Sequence, residues 1–174
     1  IPSGTIPIKR LYLTDEDAQP TPEALLALAD ADIIVLGPGS LYTSIIPNLI
    51  IKGLSEAIVK SSAYKIYVCN VMTQPGETDG FSASDHLRVL IDHSLKGVVN
   101  ACLINNASVP EVALQRYRNE KSFPVIADVE KIKEMGCRVI ATDLLGVNNY
   151  VRHDSKKLTE ALIRLIESKM RKKR

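Results

Sequence analysis

The chain has few of the residues that staple small folds. Its 174 residues include three cysteines, Cys69, Cys102 and Cys137, with no C-x-x-C pair and no Cys/His cluster. That excludes a disulfide framework and a zinc module. Each cysteine lies in an apolar run, the pattern of a small buried hydrophobe in a reducing compartment. Long apolar stretches are also missing. The run around residues 45–54 is interrupted by Pro47, Asn48, Lys52 and Gly53, too short to span a bilayer. No secretory leader pattern is visible. These absences predict a cytoplasmic protein without membrane insertion.

A basic face is lacking as well. The formal net charge is +2, but Lys169, Arg171, Lys172, Lys173 and Arg174 crowd the extreme C-terminus; setting these five aside leaves 17 basic against 20 acidic residues, a body of about −3. A nucleic-acid-binding domain spreads its basic residues over a fold, so no nucleic-acid partner is expected, and the tail reads as a solvated helix end. What remains is a soluble balance, 45% hydrophobic and 24% charged, in a length that buries a core unaided. There is no internal repeat and no low-complexity linker, so residues 1–174 read as a single α/β domain. The opening Ile1-Pro2-Ser3-Gly4-Thr5 is turn-like and carries no initiating Met, as in a piece of a longer protein.

Short β-branched runs alternate with amphipathic segments. Strands are predicted over residues 6–13, 32–36, 65–70, 98–104, 125–127 and 138–141. The run 32–36 is continuously apolar, as in a strand covered on both faces. Helices are predicted over 22–30, 51–61, 83–95, 110–120 and 156–171. Thr21-Pro22-Glu23 opens the first, with Thr as cap and Pro at the first helical position. Ser155 reads as the cap of the last, whose Leu158, Leu162, Leu165 and Ile166 share one side. Strand–helix alternation predicts a Rossmann-like, doubly wound, mostly parallel sheet with helices on both faces.

Two segments after predicted strands carry chemistry. Gly37-Pro38-Gly39-Ser40 follows 32–36, with further hydroxyls at Tyr42, Thr43 and Ser44. Ligands of open α/β sheets bind outside the carboxyl ends of the strands. Glycines let backbone N–H groups approach an anion, and a following helix N-terminus favours negative charge. The alternative is a tight strand-to-helix turn capped by Ser or Thr. The pattern is neither a Walker A loop nor G-x-G-x-x-G. The second segment, residues 70–80, gathers Asn70, Thr73, Gln74, Glu77, Thr78 and Asp79. Glu77 and Asp79 offer oxygen ligands for Mg²⁺, with substrate phosphates completing the shell; otherwise both are solvated.

Residues 31–49 (Ala-Asp-Ile-Ile-Val-Leu-Gly-Pro-Gly-Ser-Leu-Tyr-Thr-Ser-Ile-Ile-Pro-Asn-Leu), followed by residues 67–80 and by Ser84-Asp85-His86, resemble the YvcK/CofD-like family. The match is nearer its gluconeogenesis-factor branch and runs through nearly the whole chain. The resemblance implies a Rossmann-like fold, a cytoplasmic location and binding of a nucleotide sugar such as UDP-GlcNAc, with links to gluconeogenic growth, cell shape and cell-wall precursor control. The CofD branch instead transfers a 2-phospholactyl group to a deazaflavin in coenzyme F420 synthesis, with Mg²⁺. The Gly-Gly-Gly-Thr-Gly-type and Asp-Asp-Gly-Gly-Ser segments usual in the family do not occur in this sequence. The chain therefore reads as the C-terminal portion.

Two further clusters complete the candidate site. Gln115-Arg116-Tyr117 lies on a predicted helix after Asn105, Asn106 and Ser108. Tyr117 can stack on a base or sugar and Arg116 can pair with phosphate, or the tyrosine can simply pack; the resemblance favours Tyr117 as a ligand residue. In Arg152-His153-Asp154-Ser155, Arg152 is placed to grip a diphosphate and His153 reads as a surface histidine. Phosphate on Ser155 would sit at a helix N-terminus, where negative charge is stabilised. His86 and His93 lie seven apart on one helix and read as structural. The apolar stretch 45–51 reads either as a homo-oligomer contact or as core. No catalytic residue is assigned.

Overall fold

The computed structural model describes residues 7–147 and 150–172. The first helix begins as its sequence dictates: α1 covers Pro22–Asp30, and the Thr21 hydroxyl accepts the Ala24 N–H at 3.3 Å. Four parallel strands follow, β1 (Ile33–Leu36), β2 (Tyr64–Val68), β3 (Ala101–Asn105) and β4 (Arg138–Thr142), lying side by side in the order β1-β2-β3-β4. Their crossovers carry α2 (Ile46–Leu49), α3 (Leu54–Lys60), α4 (Ala83–Asp92), α5 (Glu111–Asn119) and α6 (Val129–Glu134). A short antiparallel hairpin, β5 (Leu145–Val147) and β6 (Val151–His153), precedes α7 (Ser155–Lys172).

Side-chain alternation splits the core into two layers. Tyr67, Cys69, Cys102 and Ile104 face the crossover helices, where Leu41, Ile46, Leu87, Leu90 and Ile132 meet them. Ile66, Val68, Ala101 and Leu103 face the other way, against Leu144 and Leu165, with Leu158, Ala161 and Leu162 packed beside them. Both faces of the parallel sheet therefore carry helices, as the alternation predicts, and the second is covered by α7. All three cysteines are buried and free. Ile45, Ile46 and Leu49 are buried in the first layer, so the apolar stretch 45–51 is spent mainly on core.

Several boundaries differ from the sequence expectation, each for a local reason. Residues 7–13 form no strand; they run as a strap, with Ile8 and Leu11 packed against the main core. (Ile6 lies outside the described residues.) β1 is an edge strand with a partner on one side, and Val35 is 41% exposed, so it is not covered on both faces. The helix expected over 51–61 is interrupted at Gly53, whose φ of +86° suits only glycine. A π-helical turn over Leu41–Ile45 and α2 precede that break. Residues 125–127 make no strand; the Val125 N–H donates to Val71 O at 3.1 Å beside a single bridge between Met72 and Pro124. Asp154, not Ser155, caps α7: its carboxylate accepts the Lys157 N–H at 2.9 Å, and its carbonyl accepts the Leu158 N–H at 2.9 Å. Among the described residues no helix is long and apolar enough to cross a membrane.

Candidate functional site

The parallel sheet delivers every strand-end loop to one edge, and the phosphate-loop candidate stands there at the end of β1. Gly37 has φ +88°, and a Cβ at this position would stand 3.1 Å from Val68 O on β2. The turn is therefore both left-handed and pressed against the neighbouring strand, which only glycine permits. A Cβ on Gly39 would meet the Ser44 Cβ at 3.2 Å. Ser40 closes the turn: its hydroxyl accepts the Thr43 N–H at 3.1 Å, while its carbonyl accepts from Ser44 N and Ile45 N at 3.0 and 3.1 Å. The arrangement starts a helical segment whose first residues face the sheet edge. Thr43 and Ser44 are exposed there.

Tyr42 goes elsewhere. It is 2% exposed, and its hydroxyl donates to Ile8 O at 3.3 Å. Burial first, and the charge of Glu77 second, push its pKa above the ordinary value. That reliance on Glu77 reflects how the two loops meet. Ser40 Oγ donates to Glu77 Oε2 at 2.8 Å, so residues 70–80 are drawn onto the glycine turn. Inside that second loop, Thr78 Oγ1 accepts the Gln74 N–H at 2.8 Å, Asn70 donates to Gln74 Oε1 at 3.3 Å, and Asp79 accepts the Gly76 N–H at 2.8 Å. Thr73 is a brace. It is 3% exposed, its backbone N–H donates to Phe123 O at 2.7 Å, and its hydroxyl accepts the Phe123 N–H at 2.9 Å. Ser122 Oγ adds a bond to Thr73 O at 2.6 Å. Asn70 and Gln74 remain half-buried at the edge. The carboxylates of Glu77 and Asp79 are hard oxygen donors of the type Mg²⁺ takes, each already accepting one hydrogen bond. Among the described residues no group of three or more His, Cys, Asp or Glu side chains is arranged to hold a metal.

The hairpin β5–β6, which carries Arg152, is tied to the end of β2. Three contacts hold it. Tyr117 Oη accepts the Val151 N–H at 2.7 Å, His153 Nε2 lies 3.1 Å from Cys69 O, and Asp154 N donates to Leu144 O at 2.8 Å. A carbonyl only accepts, so His153 carries its proton on Nε2. His153 is therefore half-buried and pinned to the end of β2, not a surface group; burial holds its pKa below the ordinary value, against the pull of the Cys69 carbonyl. Tyr117 is partly buried in the small cluster of Val71, Val109 and Val151, and its hydroxyl positions the hairpin. Arg152 is exposed, with its guanidinium 4.9 Å from the Tyr150 ring centroid; Arg116 lies 4.8 Å from the same ring. A cavity of about 500 Å³ opens beside Arg152, His153 and Lys156. Ser155 is exposed at the first residue of α7.

Sequence reasoning missed Tyr150 and the hairpin. The available signal was an aromatic two residues before a candidate arginine; the strands of three residues each are too short to show a period.

Residues 2–145 match the model of the family described as 2-phospho-L-lactate transferase CofD. The chain is 50% identical over 162 residues to a putative gluconeogenesis factor of Thermoanaerobacterium thermosulfurigenes, covering 92% of this chain and 50% of that protein. It is 41% identical over 161 residues to the gluconeogenesis factor of Bacillus subtilis, covering 92% and 51%. A crystal structure of a UPF0052-family protein from Bacillus halodurans superposes with a TM-score of 0.87 at 44% identity, over 90% of this chain and 50% of that one. The chain thus spans about half the length of the curated relatives it matches.

Proposed function

This chain belongs to the CofD family, and we propose that it contributes the strand-end half of a nucleotide-sugar site of the UDP-GlcNAc type, in a cytoplasmic regulator tied to cell-wall precursor supply and cell shape. The observation that supports this reading is that the Gly37–Ser44 turn follows β1, the 70–80 loop after β2 is tied to it through Ser40 and Glu77, and the hairpin with Arg152 is bonded to the end of β2 through His153 and Cys69 O. In this reading the Thr43 and Ser44 hydroxyls and the turn's backbone N–H groups that are not bonded to Ser40 take a phosphate, and Ser40 joins them by turning its proton from Glu77. Asn70 and Gln74 supply amides to the sugar or the phosphate. Arg152, exposed and steadied against Tyr150, pairs with the diphosphate. The names of the relatives, gluconeogenesis factor in each case, support the regulatory side. Ser155 is the proposed phosphorylation site, because it is exposed in the first turn of an 18-residue helix; intact-mass analysis after kinase treatment that finds no phosphate there would remove it.

A second reading, transfer of a phospholactyl group by a Mg²⁺-dependent enzyme, draws on the Ser40–Glu77 contact. A phosphate entering the glycine turn would meet the Glu77 carboxylate, and a divalent cation between them, with Asp79 as a further oxygen ligand, would offset that repulsion.

The test is calorimetric titration of UDP-GlcNAc into the full-length protein and into this chain, each beside an Arg152→Ala variant. Binding weakened by the substitution supports the proposal. Binding by the full-length protein alone assigns a necessary share of the site to residues outside this chain. No binding by either, with Mg²⁺ present, rejects the nucleotide-sugar reading. Mg²⁺-dependent consumption of a phospholactyl donor with a deazaflavin would then establish the second.

A further inference from the structure

The strap of residues 7–13 has no strand partner, yet its backbone is fastened at two points by side chains. The Leu11 N–H donates to His93 Nε2 at 3.1 Å, and the Tyr42 hydroxyl donates to Ile8 O at 3.3 Å. The two fastening rings meet edge to face, 6.0 Å between centroids at 87°. His93 Nδ1 lies 2.8 Å from Val89 O. Because a carbonyl only accepts, Nδ1 holds the ring proton, and Nε2 offers the lone pair that takes the Leu11 N–H. Both nitrogens are thus committed to backbone groups of opposite polarity, and only the neutral imidazole satisfies both.

We propose that His93 is a proton-sensitive latch that holds the strap on the end of α4, beside Tyr42, and releases it on acidification. A second proton would convert Nε2 into a donor facing the Leu11 donor, so the hydrogen bond becomes a repulsion. Among the described residues no carboxylate bonds the ring to take up the resulting charge. The groove around the ring is lined by Arg10, Tyr12 and Glu16 from the strap and by Lys52 and Glu56 from the turn and helix opposite. Asp92 adjoins it on its own helix, and Tyr42 touches it edge-on. The two groove carboxylates stand against two cations, and both ring nitrogens bond to backbone. Release frees the Tyr42 hydroxyl from Ile8 beside Glu77, the partner of Ser40, so the strap and the glycine turn are mechanically joined. The latch stands independently of which ligand the turn takes.

The experiment is residue-resolved amide exchange at about pH 8 and about pH 5.5, corrected for intrinsic rates, on the wild type and on His93→Gln. Gln keeps an acceptor near the Nε2 position but does not titrate. Leu103 in β3 reports global opening. We expect Leu11 protection to fall, in the wild type alone, by roughly tenfold, a hydrogen bond's worth, beyond any fall at Leu103, which carries the global acid loss of the other buried histidines. Equal Leu11 protection at both pH values overturns the proposal. So does a fall in step with Leu103, or the same fall in His93→Gln. If His93→Gln does not fold, imidazole ¹⁵N shifts of the wild type decide instead. The proton on Nδ1 at the higher pH, with ring titration tracking Leu11 exchange, supports the latch; the proton on Nε2 overturns it.

Discussion

Ser40 Oγ sits 2.8 Å from Glu77 Oε2 while accepting the Thr43 N–H at 3.1 Å. One hydroxyl therefore starts a helix and ties the second strand-end loop to the first. Ser40→Ala is expected to lose both, at about 1–2 kcal/mol from the cap alone. Chemical denaturation measures the cost. Glu77→Gln, which keeps an acceptor, is expected to retain most of the stability, and a Ser40→Ala variant as stable as wild type would contradict the double role.

Tyr117→Phe removes the acceptor of the Val151 N–H without opening a cavity. The expected cost is about 1–2 kcal/mol, concentrated in the hairpin. Amide exchange should show Val151 losing protection while β2 and β3 keep theirs. If the hairpin keeps its protection and ligand binding is lost, Tyr117 contacts the ligand directly.

Stability should decline on mild acidification. His86 is fully buried, with Nδ1 2.8 Å from Ser82 O and Nε2 buried without a hydrogen-bond partner among the described residues. Burial lowers its pKa and that of His153. Unfolding returns both rings to water, where they protonate near pH 6.5. The unfolded state then binds more protons, so stability is complete above that value and falls as pH drops through it, by at most about 1.4 kcal/mol per pH unit for each ring. Asp85 and Asp128, which burial would raise but hydrogen bonds from Ser82 and Ser84 hold low, lose their share only in stronger acid. Denaturation midpoints of the wild type and His86→Gln between about pH 8 and 5.5 check this; a wild-type midpoint that does not move contradicts it.

The start of α7 separates two neighbours. Asp154→Ala is expected to cost about 1 kcal/mol, because the carboxylate caps the helix at Lys157 N. Ser155→Ala should stay within about 0.5 kcal/mol. Thermal melts of the two variants give the comparison, and the reverse order would return the cap to Ser155.

The parallel core was legible because its signals are local. Thr21-Pro22 announces α1, and short apolar runs alternating with amphipathic segments announce the parallel sheet, although the run 32–36, which reads as covered on both faces, is its edge strand. The glycine turn was legible too, since Gly37 and Gly39 are required where the chain crowds β2 and Ser44. What stayed hidden depends on partners far along the chain. Tyr42 sat among hydroxyls that looked alike, and only the strap 34 residues away tells it from Thr43. Thr73 looked like a ligand residue until Phe123 and Ser122 claimed its backbone and hydroxyl. Strap residues 7–13 have a strand-like composition, but side chains take up their backbone groups where a ladder would have been.

The second layer of the core has a consequence for synthesis. Ile66, Val68, Ala101 and Leu103 are covered by α7, the last described element to be translated. A nascent chain that has emerged through residue 154 can pair all four parallel strands and still leave that apolar face covered by little more than Leu144. Exposed apolar faces of this kind are prone to association, so a chain halted just before α7 would hold a half-roofed sheet until the 18 residues of that helix were added.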